Sequence, residues 1–202
     1  MKIEILPDEQ RKGVLHLSVE DGFYREIHTA IFGKRPKLAF QEGDLSEQFS
    51  EVEYKRARFF VLKRLSQRNY SSFELCSQLK ERLVSSGTIN RVVEECRQLG
   101  YIDDDAWLED FVRRQKLGKN GPKMIASKLY QKGVPQSFYE PVLRDSVSHE
   151  DQKEGIQRIL QTRFRSKDLS DFNERQKVFG ALVRKGYDFE IVKEIVDLSL
   201  SE

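Results

Sequence analysis

Few of the 202 residues have the types and spacing that chemistry requires. His16, His28 and His149 stand apart, without the i,i+4 or Cys/His spacing that holds a metal. Cys76 and Cys96 match no zinc pattern and read as free thiols in a reducing compartment. Asp103-Asp104-Asp105 resembles a carboxylate cluster for a divalent cation, but it directly precedes a helical pattern, where acids cap the first turn and complement its dipole. "GKNG" (Gly118–Gly121) has the G-x-x-G form that clamps nucleic-acid backbone in KH domains, yet helical patterns flank it where a KH domain needs strands. "GKNGPK" also lacks the Walker spacing and its closing Lys-Ser/Thr, and no nucleophile elbow, zincin or dinucleotide fingerprint occurs. No catalytic residue, metal or cofactor is expected, and the chain reads as a non-enzyme.

What remains is charge. "RRQKLGKNGPKMIASKLYQKG" (Arg113–Gly133) carries Arg113, Arg114, Lys116, Lys119, Lys123, Lys128 and Lys132 without one Asp or Glu. A second stretch, "KRARFFVLKRLSQR" (Lys55–Arg68), holds six cations and no acid. The whole chain balances 35 Lys+Arg against 33 Asp+Glu, so these runs are local segregation. An ordinary solvated helix mixes signs to gain i,i+4 pairs. Lys128 and Lys132 lie one turn apart beside the apolar pair Ile125 and Leu129, and the Gly118–Gly121 loop offers N–H groups near a helix N-terminus. The stretch therefore reads as a surface for a polyanionic or acidic partner.

The elements that must position these cations are helices. In the first 50 residues, Leu15, Leu17 and Val19 alternate before Asp21-Gly22, and Phe23, Ile27 and Ile31 follow it. That pattern predicts a β-hairpin, with Lys2–Leu6 as a third strand. From about Glu51 the period becomes helical. Tyr54, Ala57, Val61 and Leu65 mark a first helix; Ser71 and Glu74 open a second as a capping box; Thr88 caps a third that stops at Gly100. A fourth follows the Asp triplet, a fifth runs from Pro122 to Gly133, and a sixth starts near Pro135. Three more carry Ile156/Ile159, Val178/Leu182 and Ile191/Val192/Ile195. "LYQKGVP" and "LVRKGYD" close the fifth and eighth helices alike. Nine helices in threes predict a mainly α chain of tandem three-helix modules in an elongated arrangement, behind a small β extension. The expected bounds are 1–50 for the extension and connector, then 51–102, 103–147 and 148–202.

Hydrophobic residues make up 38% and charged residues 34%, and no apolar run reaches the ~20 residues that span a bilayer. With no signal-like opening, a cytoplasmic monomer is expected.

Three segments in order resemble the RecX family of regulatory proteins. "LSQRNYSSFELCSQL" resembles its R-x-x-S-x-x-E-L segment through Arg68, Ser71, Glu74 and Leu75. "CRQLGYIDDDAWLEDFVRRQ" resembles its G-Y-I/L-D-D segment, and "NGPKMIASKLYQKGV" its G-P-x-x-I-x-x-x-L-x-x-K-G segment. The resemblance implies a non-enzymatic regulator in DNA repair, recombination and the SOS response, which lies along the RecA filament on single-stranded DNA. It would curb strand exchange, ATP hydrolysis and co-protease activity. Arg68 and the cations Arg113, Arg114, Lys116, Lys119, Lys123, Lys128 and Lys132 would make that contact, with weak direct DNA binding beside it. A direct DNA- or RNA-binding helical module and a purely structural adaptor are the competing classes.

Overall fold

Alternating apolar residues at the N-terminus make three short strands: β1 (Ile3–Pro7), β2 (Val14–Val19) and β3 (Gly22–His28). The computed structural model describes residues 1–20 and 22–198. The strands form an antiparallel sheet in the order β1-β2-β3, with Ile5 opposite Leu17 and Leu15 opposite Ile27. Half of the Asp21-Gly22 turn, Asp21 itself, lies outside the described residues. Ile31 departs from the hairpin pattern. It sits in α1 (Thr29–Phe32), a single turn capped by the His28 imidazole, which accepts from the Ala30 amide at 3.0 Å.

Nine longer helices follow: α2 (Leu45–Leu65), α3 (Ser72–Lys80), α4 (Ser86–Gln98), α5 (Asp104–Leu117), α6 (Pro122–Gln131), α7 (Gln136–Ser146), α8 (His149–Arg163), α9 (Phe172–Arg184) and α10 (Phe189–Leu198). The chain is thus mainly α with a small N-terminal sheet. Two starts differ from the sequence reading. α2 begins at Leu45, not near Glu51, because Asp44 caps it by accepting from the Ser46 amide at 2.8 Å, and buried Phe49 extends its apolar face. α4 is capped by Ser85, not Thr88. Both are cap-forming types, but Ser85 has the extended backbone a cap needs, and Thr88 is buried in the first turn.

The chain divides into two compact units, Met1–Asp104 and Asp105–Glu202. In the first, Leu15, Leu17, Ile27 and Phe32 share one apolar cluster with Phe49, Val61, Leu75, Leu79 and Val92. The β extension is therefore built onto the first helices through a common core. Buried Glu53 ties the elements together. Its carboxylate accepts from the Ser85 hydroxyl at 2.5 Å, at the positive end of α4, and lies 3.6 Å from the Arg25 guanidinium of β3. Glu53→Ala is expected to cost about 2 kcal/mol, because it leaves the part-buried Ser85 amide and hydroxyl without their acceptor and Arg25 without its ion pair. A urea midpoint that falls with an unchanged m-value would show it.

In the second unit, Ile156, Ile159, Val178, Leu182, Ile191, Val192 and Ile195 form the core of α8–α10. The turn after α9 meets the start of α6 backbone to backbone. The Gly121 amide donates to the Lys185 carbonyl at 2.8 Å, and the Lys123 amide to the Gly186 carbonyl at 3.0 Å. Gly186 has φ +86, and a Cβ there would overlap the Met124 amide. A Cβ on Gly121 would lie 2.5 Å from the Gly186 carbonyl carbon. The two "Lys-Gly" turns have the same closing bonds: Val134 N–H to Leu129 C=O at 3.1 Å, and Tyr187 N–H to Leu182 C=O at 3.4 Å.

Candidate functional site

Most acids missing from the Arg113–Gly133 stretch are supplied by folding. On α5, Arg113 and Arg114 share one carboxylate, Asp110, with Arg113 at 2.5 Å; two exposed cations thus face a single acid. Lys116 is committed inside the unit, donating to Asp151 of α8 at 2.7 Å and to the Ser146 carbonyl at 2.6 Å. Lys123 reaches Asp188 at 3.1 Å across the α6–α9 turn contact. Lys132 lies 5.8 Å from the Phe111 ring centroid.

Arg68 belongs to the other unit. It stacks 3.6 Å from the Tyr70 ring centroid and pairs with Glu74 at 3.2 Å, while Ser71 caps α3 by accepting from the Glu74 amide. The R-x-x-S-x-x-E spacing thus builds the entry to a helix. Asp104 has a similar job. It accepts from the Ser72 amide at 2.7 Å, the Ser72 hydroxyl at 2.6 Å and Arg97 at 3.0 Å, which accounts for this acid of the triplet without a metal.

The loop Gly118–Gly121 does not have the open N–H groups expected of it. Gly118, Lys119 and Asn120 donate to the carbonyls of Arg114, Lys116 and Gln115, and Gly121 donates to Lys185. Pro122 has no N–H, and that of Lys123 is spent on Gly186. The turn after α9, distant in sequence, closes the place an anion would have taken.

That same turn brings in a cation. Lys185 is half-buried, and its ammonium donates to the Lys119 carbonyl at 3.2 Å. Burial first, then the positive charges of Arg163, Lys119 and Lys128, push Lys185 below the usual lysine range. Lys119 donates to the Thr162 hydroxyl at 2.8 Å and Lys128 to the Gln115 amide oxygen at 2.7 Å. Among the described residues, none of Lys119, Lys128, Arg163 and Lys185 has a carboxylate ion pair. Four cations converge from the α5–α6 loop, α6, the end of α8 and the end of α9. Their mutual repulsion disfavours the charged form of Lys185. Lys185 and Arg163 were missed in the sequence because neither lies in the acid-free run. The echo of "QKG" in "RKG" was the available signal for Lys185.

The histidines also end in unexpected company. His16 Nε2 lies 2.8 Å from Asp8, and Glu26 stands opposite His16 in the sheet register. Arg11 enters this group, 2.6 Å from Asp8 and 2.5 Å from Glu26, so that both carboxylates are paired with its guanidinium. Hydrogen bonds from His16 and then Arg11 hold the Asp8 carboxyl well below the usual carboxylate range. No helix among the described residues is long and apolar enough to cross a membrane.

Residues 150–196 match a family model described as the third three-helix domain of RecX. A regulatory protein RecX of Legionella pneumophila (strain Corby) is 28% identical over 138 residues, which are 67% of this chain and 89% of that protein. Another, from Staphylococcus saprophyticus, is 23% identical over 198 residues, covering 97% of this chain and 72% of that protein. Along most of its length the chain is similar to proteins of the RecX family. A crystal structure of a regulatory protein RecX shares the fold, with a TM-score of 0.63 at 22% identity over 97% of this chain and 98% of that one. RecX from Lactobacillus salivarius gives a TM-score of 0.56 at 20% identity, over 71% and 94%.

The segment that matches the third RecX domain includes Asp151, the carboxylate that anchors Lys116. Asp151 also forms a capping box with Ser148 at the start of α8. The hydrogen bond from Lys116, then those from Ser148, lower the Asp151 carboxyl from 3.8 to about 2. A carboxylate depressed by folding stabilises the protein above its unfolded pKa and loses that contribution as the pH falls through its folded value. Wild type should therefore lose stability relative to Asp151→Asn between about pH 4 and pH 2, by about 1 kcal/mol once solvent screening of this partly exposed pair is allowed for. Paired thermal melts across that range measure the difference.

Proposed function

We propose that this chain binds the RecA recombinase filament on single-stranded DNA and lowers its ATP hydrolysis, strand exchange and co-protease activity. It performs no chemistry of its own. The observation that supports this reading is the cluster of Lys119, Lys128, Arg163 and Lys185, four cations without a carboxylate pair among the described residues, in a chain similar to RecX proteins. A recombinase wound on DNA is a long polyanion, and clustered cations gain affinity for it by releasing counterions. Arg113 and Arg114, which share one acid, add to the same positive field. Lys116 and Arg68, committed to Asp151 and Glu74, act chiefly by holding their helices.

In this reading the helices work as three modules, 51–102, 103–147 and 148–202, behind the extension 1–50. The protein acts as a monomer in the cytoplasm, and its hold on naked DNA is weak. The test is DNA-stimulated ATP hydrolysis by a cognate RecA, titrated with the purified chain. Inhibition at or below equal stoichiometry is expected. No change across the titration, with tight binding to naked DNA, would transfer the protein to the class of direct nucleic-acid binders.

A further inference from the structure

Apart from Arg68, the second acid-free run, Lys55–Arg68, takes no part in the candidate site described above. Within it "KRARFFVLKR" repeats the pair Lys-Arg on either side of Phe59-Phe60, eight residues apart. On α2 this spacing draws two parallel rows, each cation–aromatic–cation. Lys55, Phe59 and Lys63 form the exposed row, and Arg56, Phe60 and Arg64 the half-buried one. The rows border a groove of about 830 Å³ between α2 and the α1 turn, floored by Val52, Phe60 and Phe32. No Asp or Glu lines it. Phe59 is 70% exposed, although the apolar cluster of the same unit includes its neighbours Val52, Phe60 and Leu62. Lys55 and Lys63 have no carboxylate pair among the described residues.

We infer that this groove docks an acidic protein segment in extended conformation, with the pattern acid-x-apolar-x-acid, whose apolar side chain meets Phe59 between Lys55 and Lys63. Four residues of α-helix rise about 6 Å, so the two lysines stand roughly 12 Å apart along the axis with the ring midway. In an extended peptide, side chains two apart are about 7 Å apart, which sets flanking acids over the two lysines when the apolar residue sits on the ring. The rim supplies charge complementarity and the floor an apolar seat.

Single-stranded nucleic acid fits less well, because it needs a run of open ring faces to stack successive bases. Here the guanidinium of Arg56 lies 5.7 Å from the Phe32 centroid, and those of Arg64 and Arg82 lie 5.3 Å and 5.1 Å from that of Phe60. Only Phe59 offers an open face.

Fluorescence anisotropy on the full chain tests this with three labelled probes: a peptide alternating Asp or Glu with Phe and Leu, an equally long polyglutamate, and oligothymidine. The mixed peptide is expected to bind about tenfold tighter than polyglutamate, and Phe59→Ala to remove that advantage. Lys55→Glu with Lys63→Glu should abolish binding of both peptides. These side chains are exposed, so unchanged circular dichroism will show that the variants fold. Equal affinity for polyglutamate would reduce the groove to a charged surface. Tighter binding of oligothymidine that depends on Phe59 would make it a nucleic-acid site, and no binding of the mixed peptide would dismiss it. Because no RecA is present, failure here leaves the filament reading untouched.

Discussion

Replacing Lys119, Lys128 and Lys185 together with alanine is expected to weaken binding to the RecA–DNA filament about a hundredfold, from roughly 1 kcal/mol for each lost charged contact. The protein should remain folded, and at least as stable. Lys185 is half-buried and sits near three other cations, so its charged form is disfavoured in the folded state. A lysine depressed by folding destabilises while it is protonated, and that cost disappears as the pH rises towards its unfolded value of 10.5. Wild type should therefore gain stability over the triple variant as the pH climbs through the alkaline range. Loss of binding without loss of stability separates a recognition surface from a scaffold. Each lysine that met a phosphate should also lower the slope of log affinity against log salt by about 0.7–0.9. Inhibition of RecA ATPase by the triple variant at wild-type concentrations, at low and physiological salt, would show these cations to be solvated surface. Lys116→Ala makes the contrast, because it should lower stability before it lowers binding.

Gly186→Ala should have the largest effect on stability, about 2–4 kcal/mol. A positive φ costs an L-residue about 1 kcal/mol, and forcing a methyl into close-packed backbone adds about 1–3 kcal/mol. The added Cβ meets the Met124 amide, so the start of α6 and the turn after α9 must move apart. In a unit of about a hundred residues the melting temperature should drop by roughly 10–20 °C. Gly121→Ala tests the same contact from the other side. Its φ of −78 suits alanine, so it should cost only the collision. Hydrogen exchange should quicken first at Gly121 and Lys123, whose amides bond across this contact. Because the turn also carries Lys185, filament binding should fall along with stability.

The helices and strands were largely legible because their signals are local. Ser71, Pro122 and the glycines at 100, 133 and 186 act on residues within a turn of themselves, and a 3.6-residue period records which face is buried. Local signals failed where two candidates stood within one turn of each other. Ser85 and Thr88 are both able to cap, and the choice rested on backbone angles no residue type dictates. The R-x-x-S-x-x-E-L and G-Y-I-D-D segments marked the likeness to RecX correctly, and their physical reason lies in the contacts of Arg68 with Glu74 and Tyr70 and of Asp104 with Ser72 and Arg97.

The candidate surface was half visible. By itself the sequence determined that positive charge gathers between Arg113 and Gly133, because composition is a property of the chain. It could not determine which of those charges stay unpaired. Asp151 and Asp188 lie beyond the run and were brought to Lys116 and Lys123 by tertiary packing. The carbonyls of Lys185 and Gly186 took the N–H groups that an isolated loop would have offered an anion. Folding also added Arg163 and Lys185 to Lys119 and Lys128. Charge pairing depends on distance through space, and close backbone contact at two glycines far apart in the chain decided which distances became short.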